Sequence, residues 1–391
     1  MPYVTLPIIP VYQQITLMDI LCGEVAIRDT PIVLNETNTK TRYVDVLQPR
    51  FLQQFNLQRM AFSLKRFNTK HRELFEADRA SLYHSFFIPK RTGGVRRIDA
   101  PCPDLMTALR ELKTIFEREF SPSTHRATLY HTSAFAYIPG RSVVDALKRH
   151  QGNKSNWFLK LDFSNFFGST TREFTMAMLK RIFPFNMMFT DCERMTNLEK
   201  AIDLCFLSGG LPQGTPISPM LTNLVMLPVD YEISRALRAL EAPTKENPSG
   251  NSFVYTRYAD DILISAKRGF NFREVQDALR KTLAQFQAPY RFKEEKTRYG
   301  SRAGQNWNLG LMINKDNEIT VGHKRKRRLR AAIDSYMTGK EPWDYHDVKV
   351  LAGQINYYNM VEPKYIEEIM SYYGQKYGES VMERIKRDLS A

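Results

Sequence analysis

The sequence predicts an α+β fold in which strands and helices alternate irregularly. Short apolar runs bounded by glycine and proline indicate strands, and patterns of helical period between them indicate helices. The order of these segments does not follow the regular strand-helix alternation of a doubly wound parallel sheet. Hydrophobic residues make up 43% of the 391 residues, so the chain can bury a large core.

The chain carries a surplus of positive charge. Its 56 Lys and Arg residues exceed its 42 Asp and Glu residues, which gives a formal net charge of +14. Clustered cations attract phosphate backbones, so we expect a polyanionic partner. No apolar run approaches the roughly 18 residues of a membrane span, and the four cysteines form no C-x-x-C pair. We therefore expect a soluble cytoplasmic protein without a zinc site or a disulfide framework.

The first elements along the chain are an extension and a hairpin. Residues 1–80 form an extension of mixed character, with a helical pattern over 53–83. Residues 86–101 contain short β-rich runs punctuated by glycine and proline, and a helical pattern over 104–120 follows. This order predicts a hairpin that leads into a helix.

The remaining elements are apolar strands and amphipathic helices. Strands are predicted over 157–163, 253–266 and 306–314, and helices around 172–183, 219–241, 272–287 and from residue 323 onward. We expect three parts of the chain: an N-terminal extension 1–80, a central unit 81–322 and a helical C-terminal segment 323–391.

Two adjacent acids, Asp260 and Asp261, lie between apolar runs in the segment YADD. Neighbouring side chains of a smooth strand point to opposite faces, so one of the two charges would be buried in the core. A tight turn between two strands avoids this and presents both acids at its tip. Such a pair suits a hard cation, because Mg²⁺ takes one or two protein carboxylates together with substrate phosphates. A solvated turn is the alternative.

Asp162 closes an apolar strand in the segment LKLDFSNFF, among phenylalanines. An unpaired acid there would be costly to desolvate, and a cation shared with Asp260 and Asp261 would remove that cost. Three carboxylates that hold two metal ions suit in-line phosphoryl transfer. The alternative for Asp162 alone is the N-cap of the helix that follows.

Segments in order through residues 84–360 resemble the motifs of reverse transcriptases, in particular the prokaryotic enzymes related to group II intron and retron proteins. The resemblance implies a right-hand polymerase with fingers, palm and a short helical thumb, and an RNA-directed DNA polymerase activity. The matching segments are IPKRTGGVRRIDAP (88–101) and HTSAFAYIPGRSVVDAL (131–147) for the fingers, LKLDFSNFF (159–167), GLPQGTPISPMLTNLVM (210–226) and YADD for the palm, FKEEKT (292–297) and NWNLGLMIN (306–314) for motif D and the primer grip, and LAGQINYYNMVEP (351–363) for the thumb.

The resemblance implies a role for each acid. Asp162, Asp260 and Asp261 would hold two Mg²⁺ ions, or Mn²⁺ in their place, with the Phe163 carbonyl as a further ligand. Lys296 is implied as the proton donor to the leaving pyrophosphate, since a lysine beside phosphates can act as a general acid. A plain surface cation is the alternative for Lys296.

The same resemblance assigns the fingers hairpin and a Gly- and Pro-rich turn to the incoming nucleotide. Lys90 and Arg96 would grip the triphosphate, since guanidinium groups suit bidentate phosphate contacts. Gln213 and Gly214 would lie against the sugar and base. Phe167 stands where reverse transcriptases place an aromatic that blocks a 2′-hydroxyl, which implies deoxynucleotide substrates. The alternatives are a solvated hairpin, a capped helix entry and a core phenylalanine, respectively.

Two further regions would contact the template and primer. Leu309 and Gly310 resemble the primer-grip turn that steadies the 3′ end. The cations of HKRKRRLR would clamp the backbone of the template-primer duplex, and each phosphate contact would add salt dependence. These cations are Lys324, Arg325, Lys326, Arg327, Arg328 and Arg330.

The sequence departs from several patterns of the family, and these departures narrow the choice among the groups of reverse transcriptases. The chain has Ser218-Pro219 where diversity-generating enzymes usually have S-Q, and it lacks the V-T-G triplet and the N-A-x-x-H insert usual in retron enzymes. These departures favour a stand-alone prokaryotic reverse transcriptase of unassigned or phage-defence type, with a dedicated non-coding RNA as template. The other expected partners are a DNA or RNA primer and dNTPs; a protein partner or a second copy of the chain is left open.

Two rival functions fit the same fold. One is an RNA-binding protein with a degenerate polymerase fold, and the other is an RNA-dependent RNA polymerase. The intact acids count against the first, because a binding protein has no need of three costly carboxylates in one place. Phe167 counts against the second, since viral RNA-dependent RNA polymerases usually carry an acid at that position.

Overall fold

The computed structural model describes most of the chain from residue 57 onward. The described residues are 28–30, 43–45, 57–89, 93–118, 130–182, 185–241, 252–303, 307 and 310–390. Two short strands near the N-terminus, β1 (Arg28–Thr30) and β2 (Tyr43–Asp45), pair antiparallel with each other.

Two helices, a β-hairpin and a third helix form the fingers. Helices α1 (Leu57–Lys70) and α2 (Arg72–Glu76) precede strands β3 (Tyr83–Pro89) and β4 (Val95–Pro101), and α3 (Pro103–Arg118) follows them. The two strands pair antiparallel over their whole length, so the predicted hairpin that leads into a helix is confirmed. Buried side chains of α1 and α3 belong to one hydrophobic core. This core therefore includes residues from before and after position 80, where the N-terminal extension was expected to end.

Four antiparallel strands form the palm sheet, in the order β6-β7-β5-β8. They are β5 (Trp157–Asp162), β6 (Val254–Tyr258), β7 (Asp261–Ala266) and β8 (Arg298–Ser301). Side chains alternate between the two faces of the sheet. In β5, Leu159 and Leu161 belong to the main core, whereas Phe158 packs with the thumb on the other face.

Helices pack around the palm sheet. They are α4 (Val143–Gly152), α5 (Phe166–Ser169), α6 (Arg172–Leu179), α7 (Cys192–Asp203), α8 (Ser218–Ala239) and α9 (Phe272–Gln285). Helix α8 matches the helix predicted around 219–241. Its residues 220–230 are all buried, which makes it the central helix of the palm.

The C-terminal segment is helical, as predicted, and forms the thumb. Its helices are α10 (His323–Thr338), α11 (Tyr345–Val361), α12 (Pro363–Tyr377) and α13 (Val381–Ser390). They share a second hydrophobic core that also includes Phe158 and Leu263 of the palm sheet, so thumb and palm pack together. Among the helices that the structure describes, none is both long and apolar enough to cross a membrane.

The strand predicted over 306–314 is much shorter in the structure. In the described part of this segment, only β9 (Met312–Ile313) forms a strand, and it pairs with β10 (Ile319–Thr320). Gly310 has φ +88°, a left-handed conformation that interrupts an extended run. The apolar pattern of this segment therefore reflects a packed turn with a short strand after it.

Candidate active site

The three predicted acids lie at the same end of the palm sheet. Ala259 and Asp260 form the tight turn between β6 and β7, with Ala259 at φ +58°. Asp261 begins β7 and lies directly opposite Asp162 in the β5-β7 register, so these two side chains share a face. Asp260 and Asp261 thus stand at a hairpin turn, and Asp162 ends a strand, as the sequence predicted. Asp162 is not an N-cap, because α5 begins after Asn165.

Lysine side chains form ion pairs with two of these acids, Asp162 and Asp261. Lys293 Nζ lies 2.8 Å from Asp162 Oδ1, and Lys296 Nζ lies 3.1 Å from Asp162 Oδ2. Lys160 Nζ lies 2.9 Å from Asp261 Oδ1. The sequence pointed to Lys296 alone. Lys160 and Lys293 stand in the segments LKLD and FKEEKT, but nothing in the sequence shows that their ammonium groups reach the acids.

Asp260 differs from the other two acids. In the described part of the chain, no lysine or arginine lies within ion-pair distance of its carboxylate. Burial raises the pKa of Asp260 above its ordinary 3.8, and the charges of Asp261 and Asp162 raise it further. An acid in this position resists ionisation unless a cation approaches it. The site therefore favours an additional positive charge beside Asp260.

The donor set fits a hard divalent cation. Carboxylate oxygens are the ligands that such cations prefer, and the buried Oδ1 of Asp162 accepts no hydrogen bond from the described residues, although the Lys293 ammonium is at ion-pair distance. Within the same residues, no three Asp, Glu, His or Cys side chains converge as a preformed metal cage. A cation would therefore compete with the lysines for the carboxylate oxygens.

A cleft of about 1100 Å³ opens beside the acids. Its walls come from the fingers hairpin, helix α5, the turn before α8 and the segment before β8. A cleft of this size can hold a small-molecule ligand such as a nucleotide. It brings together side chains that belong to separate sequence motifs, namely Arg96, Phe167, Gln213, Asp260 and Lys296.

The fingers wall of the cleft carries two arginines in different surroundings. Arg97 donates hydrogen bonds to Asp99 Oδ1 at 2.7 Å and to Ser85 Oγ at 3.2 Å. Arg96 is exposed and forms no ion pair with the described residues, so its guanidinium is available to an anionic ligand. Lys90, the predicted companion of Arg96, lies outside the described residues.

Phe167 and Tyr137 form an aromatic pair in the cleft. Phe167 is half-buried on α5, and its ring centroid lies 6.3 Å from that of Tyr137 in a T-shaped arrangement. Tyr137 is 57% exposed and has φ +61°. Tyrosine seldom adopts this left-handed conformation, and such strained residues cluster at functional sites. Sequence reasoning missed Tyr137, because no nearby residue type predicts a positive φ there.

Gly214 holds the turn before α8 against the fingers. The N–H of Asp99 donates to the Gln213 carbonyl at 2.8 Å. Gly214 has φ +123°, and a Cβ at this position would lie 2.9 Å from the carbonyl oxygen of Asp99, so a side chain would push the fingers strand away. The close backbone approach expected at Gly214 is therefore to the protein's own fingers. Gln213, not Gly214, lines the cleft.

The predicted primer grip and the cationic helix are in contact. Arg325 Nη1 donates to the Gly310 carbonyl at 2.9 Å, and a Cβ at residue 310 would overlap its guanidinium. Lys326 forms an ion pair with Glu362. Three of the six cations predicted to clamp nucleic acid therefore have protein partners, because Arg330 also hydrogen-bonds with Tyr365. Leu309 lies outside the described residues. Four of the six cations are exposed: Lys324, Arg327, Arg328 and Arg330.

Comparison with known proteins identifies relatives of the chain. The sequence profile of the reverse transcriptase (RNA-dependent DNA polymerase) family matches residues 88–334. The retron Ec83 reverse transcriptase of Escherichia coli is 29% identical over 80% of this chain and 93% of its own length. The retron Mx162 reverse transcriptase of Myxococcus xanthus is 28% identical over 74% of this chain and 59% of its own length. Among solved structures, apo telomerase from Candida tropicalis aligns with a TM-score of 0.40 and 16% identity, over 61% of this chain and 54% of that one.

These relatives bear on the sub-class predicted from the sequence. The missing V-T-G triplet and N-A-x-x-H insert favoured separation from retron enzymes, but retron reverse transcriptases match the chain over most of its length. Two short motifs are thus a weaker guide than the whole alignment. The range matched by the family profile includes the three acids, most of the cleft wall and most of α10. The chain therefore belongs to the reverse transcriptase family and is an RNA-directed DNA polymerase of α+β right-hand fold.

Proposed function

We propose that the cleft binds an incoming dNTP next to the primer end, and that Asp162, Asp260 and Asp261 hold two Mg²⁺ ions there, or Mn²⁺ in their place. The Phe163 carbonyl is the further oxygen ligand in this proposal. The observation that carries it is the position of the three acids at one end of the palm sheet, where Asp260 lines the same cleft as the fingers arginine and the aromatic pair.

The chemistry is the transfer of a nucleotidyl group to the primer. Divalent cations at such acids lower the pKa of an attacking 3′-hydroxyl and offset the charge of the substrate phosphates. Burial lowers the pKa of Lys296, but its hydrogen bond to Asp162 and the charge of Asp162 outweigh that effect, so the pKa of Lys296 lies above its ordinary 10.5. Lys296 is protonated at neutral pH and donates a proton to the leaving pyrophosphate. Lys293, on the same wall, is a second candidate donor.

Selection of the nucleotide uses the opposite walls of the cleft. Arg96 binds the triphosphate, because its exposed guanidinium has no partner among the described residues. Phe167, braced by Tyr137, closes the space that a 2′-hydroxyl would need. Gln213 contacts the sugar and base, while Gly214 keeps the turn docked on the fingers.

The template in this proposal is an RNA, and the primer is DNA or RNA. The template that we favour is a dedicated structured non-coding RNA, as the resemblance to stand-alone prokaryotic reverse transcriptases implies. Gly310 steadies the primer end, and the exposed cations of α10 contact the duplex backbone. We extend the proposal to a role in phage defence in the cytoplasm of a prokaryotic cell. A protein partner or a second copy of the chain takes part in this role.

A primer-extension assay tests the nucleotide class and the need for metal. Purified protein is given an annealed RNA template and DNA primer with dNTPs or NTPs, in Mg²⁺ or in EDTA. We expect extension with dNTPs in Mg²⁺ and none in EDTA. Equal extension with NTPs would favour an RNA polymerase, and extension in EDTA would exclude the proposed role of the acids.

A further inference from the structure

A fully buried ion pair lies directly beneath the turn that carries the acids. Arg257, two residues before Ala259, has no exposed side-chain surface, and neither has Asp230 on α8. Arg257 Nη2 donates to Asp230 Oδ2 at 2.7 Å, and Nε donates to Oδ1 at 3.0 Å. The Tyr255 hydroxyl donates to Asp230 Oδ1 at 2.6 Å. The central helix of the palm is thus joined to strand β6 by charged groups.

The same ion pair extends to two backbone carbonyls, each of which belongs to the residue before one that lines the cleft. Arg257 Nη1 donates to the Ala259 carbonyl at 3.3 Å and to Asn223 Oδ1 at 2.9 Å. Asn223 Nδ2 in turn donates to the Ala136 carbonyl at 2.8 Å. Ala259 adjoins Asp260, and Ala136 adjoins Tyr137. One chain of hydrogen bonds therefore connects the acidic turn with the segment that carries the aromatic partner of Phe167.

The backbone is strained both at the acidic turn and at Tyr137. Ala259 has φ +58° and Tyr137 has φ +61°, although neither is glycine. Such conformations persist only where the surroundings hold them. A hydrogen bond to the carbonyl of Ala259, and one to the carbonyl next to Tyr137, supply that restraint.

Stability of the fold does not by itself account for a buried ion pair. Removing two charges from water is costly, and apolar side chains of similar volume often replace such pairs without loss of stability. We propose that Arg257, Asp230 and Asn223 are positioning residues, which fix Asp260 and Tyr137 relative to each other in the geometry that nucleotide transfer requires. This inference rests on the proposed role of Asp260.

An apolar replacement separates positioning from stability. The triple variant Arg257→Met, Asp230→Leu, Tyr255→Phe removes every charge and the hydroxyl together, so it leaves no unpaired buried charge. We expect it to unfold within a few degrees of wild type, to lose about tenfold or more in kcat, and to bind Mn²⁺ more weakly in the absence of nucleotide, as measured by electron paramagnetic resonance.

A milder variant and a matched control complete the test. Asn223→Ala removes the link to Ala136. If the triple variant does not fold, Asn223→Ala alone decides whether the network positions the site or only stabilises the fold. Ser265→Ala is the control, because it breaks a buried network of the same hairpin away from the turn, where Ser265 contacts His150 at 2.6 Å and Ser155 at 2.7 Å. We expect Ser265→Ala to lower the melting temperature and leave kcat and Mn²⁺ binding unchanged.

The outcomes distinguish this inference from the proposed function. Wild-type kcat and Mn²⁺ affinity in the folded variants would overturn the positioning role. The positioning role would also be overturned if Ser265→Ala and Asn223→Ala lost equal amounts of kcat and equal amounts of melting temperature. If Asp260→Asn itself keeps wild-type activity, the assignment of the acids fails instead.

Discussion

At the scale of single residues, Phe167 is the side chain on which nucleotide choice depends in the proposed site. Its ring lies on the cleft wall against Tyr137. We expect Phe167→Ala to admit ribonucleotides, because it opens the space for a 2′-hydroxyl, and to change the ratio of kcat/KM for dNTP over NTP by about tenfold or more. Single-nucleotide incorporation measures this ratio. Phe62→Ala, an exposed phenylalanine of α1 outside the cleft, is the control, and an unchanged preference in Phe167→Ala would remove the role given to Phe167.

Asp260 leads to a prediction about stability that does not depend on activity. Its pKa is higher in the folded chain than in the unfolded chain, chiefly because it is buried. The folded state therefore keeps the proton on Asp260 up to a higher pH than the unfolded state does. The contribution of Asp260 to the free energy of unfolding is lost as the pH rises from 3.8 through the raised pKa. In metal-free buffer at pH 7 we expect Asp260→Asn to unfold at higher urea concentration than wild type.

The pH dependence and the response to metal provide the controls for Asp260. The difference between Asp260→Asn and wild type should shrink as the pH falls towards 3.8, where the proton returns to the Asp260 carboxylate. Added Mg²⁺ should raise the melting temperature of wild type more than that of the variant, because binding to the folded state stabilises it. Equal urea midpoints at pH 7 would show that Asp260 is not destabilised by its surroundings.

At the scale of elements, helix α10 has cations of two kinds, those that contact the protein and those that are exposed. Arg325 and Lys326 bind the Gly310 carbonyl and Glu362 within the protein, whereas Lys324 and Arg328 are exposed. Replacing Lys324 and Arg328 by Gln should weaken binding to a template-primer duplex. The slope of log affinity against log salt should fall by roughly one for each phosphate that the variant no longer neutralises.

Fluorescence anisotropy over a range of salt concentrations measures that slope. The matched control is Lys386→Gln with Arg387→Gln, which removes the same charge from exposed positions of α13. We expect the control to leave the slope nearly unchanged. A slope equally reduced in both double variants would indicate a general effect of net charge instead of binding by α10.

The sequence predicted the elements that have strong local patterns. The fingers hairpin, strand β5, the β6-β7 hairpin and helix α8 stand in apolar or β-rich runs with turn residues near their ends. The strand predicted over 306–314 was wrong in length, because Gly310 turns the chain to positive φ and, in the described part of this segment, only Met312–Ile313 forms a strand. An apolar run of this kind does not distinguish a strand from a packed turn.

At the scale of the whole molecule, the positions of the acids on the sheet could be predicted and their surroundings could not. Asp162 stands in one local sequence pattern, and the neighbouring pair Asp260 and Asp261 stands in another, so the sequence alone is enough to find them. The lysines that reach them, the positive φ of Tyr137 and the Arg257–Asp230 pair depend on which elements the fold brings together. These interactions join residues far apart in sequence, and no local period encodes them.

The proposed dedicated template leads to a prediction for the whole molecule. The net charge of +14 attracts nucleic acid of any sequence, so selectivity must come from RNA structure. We expect sequencing of nucleic acid that co-purifies with the chain from its native host to show one enriched RNA and DNA complementary to part of it. A co-purifying pool that mirrors total cellular RNA would contradict the dedicated template and leave the polymerase activity standing.

The most direct test of the central claim is the activity of Asp260→Asn with Asp261→Asn on a primed RNA template. The control is Asp277→Asn, an exposed acid on α9 that pairs with Arg280 away from the cleft. If these acids carry RNA-templated DNA synthesis, the double variant will be folded by circular dichroism and extend no primer with dNTPs in Mg²⁺, while the control extends like wild type. Extension by the double variant at the wild-type rate would contradict the account.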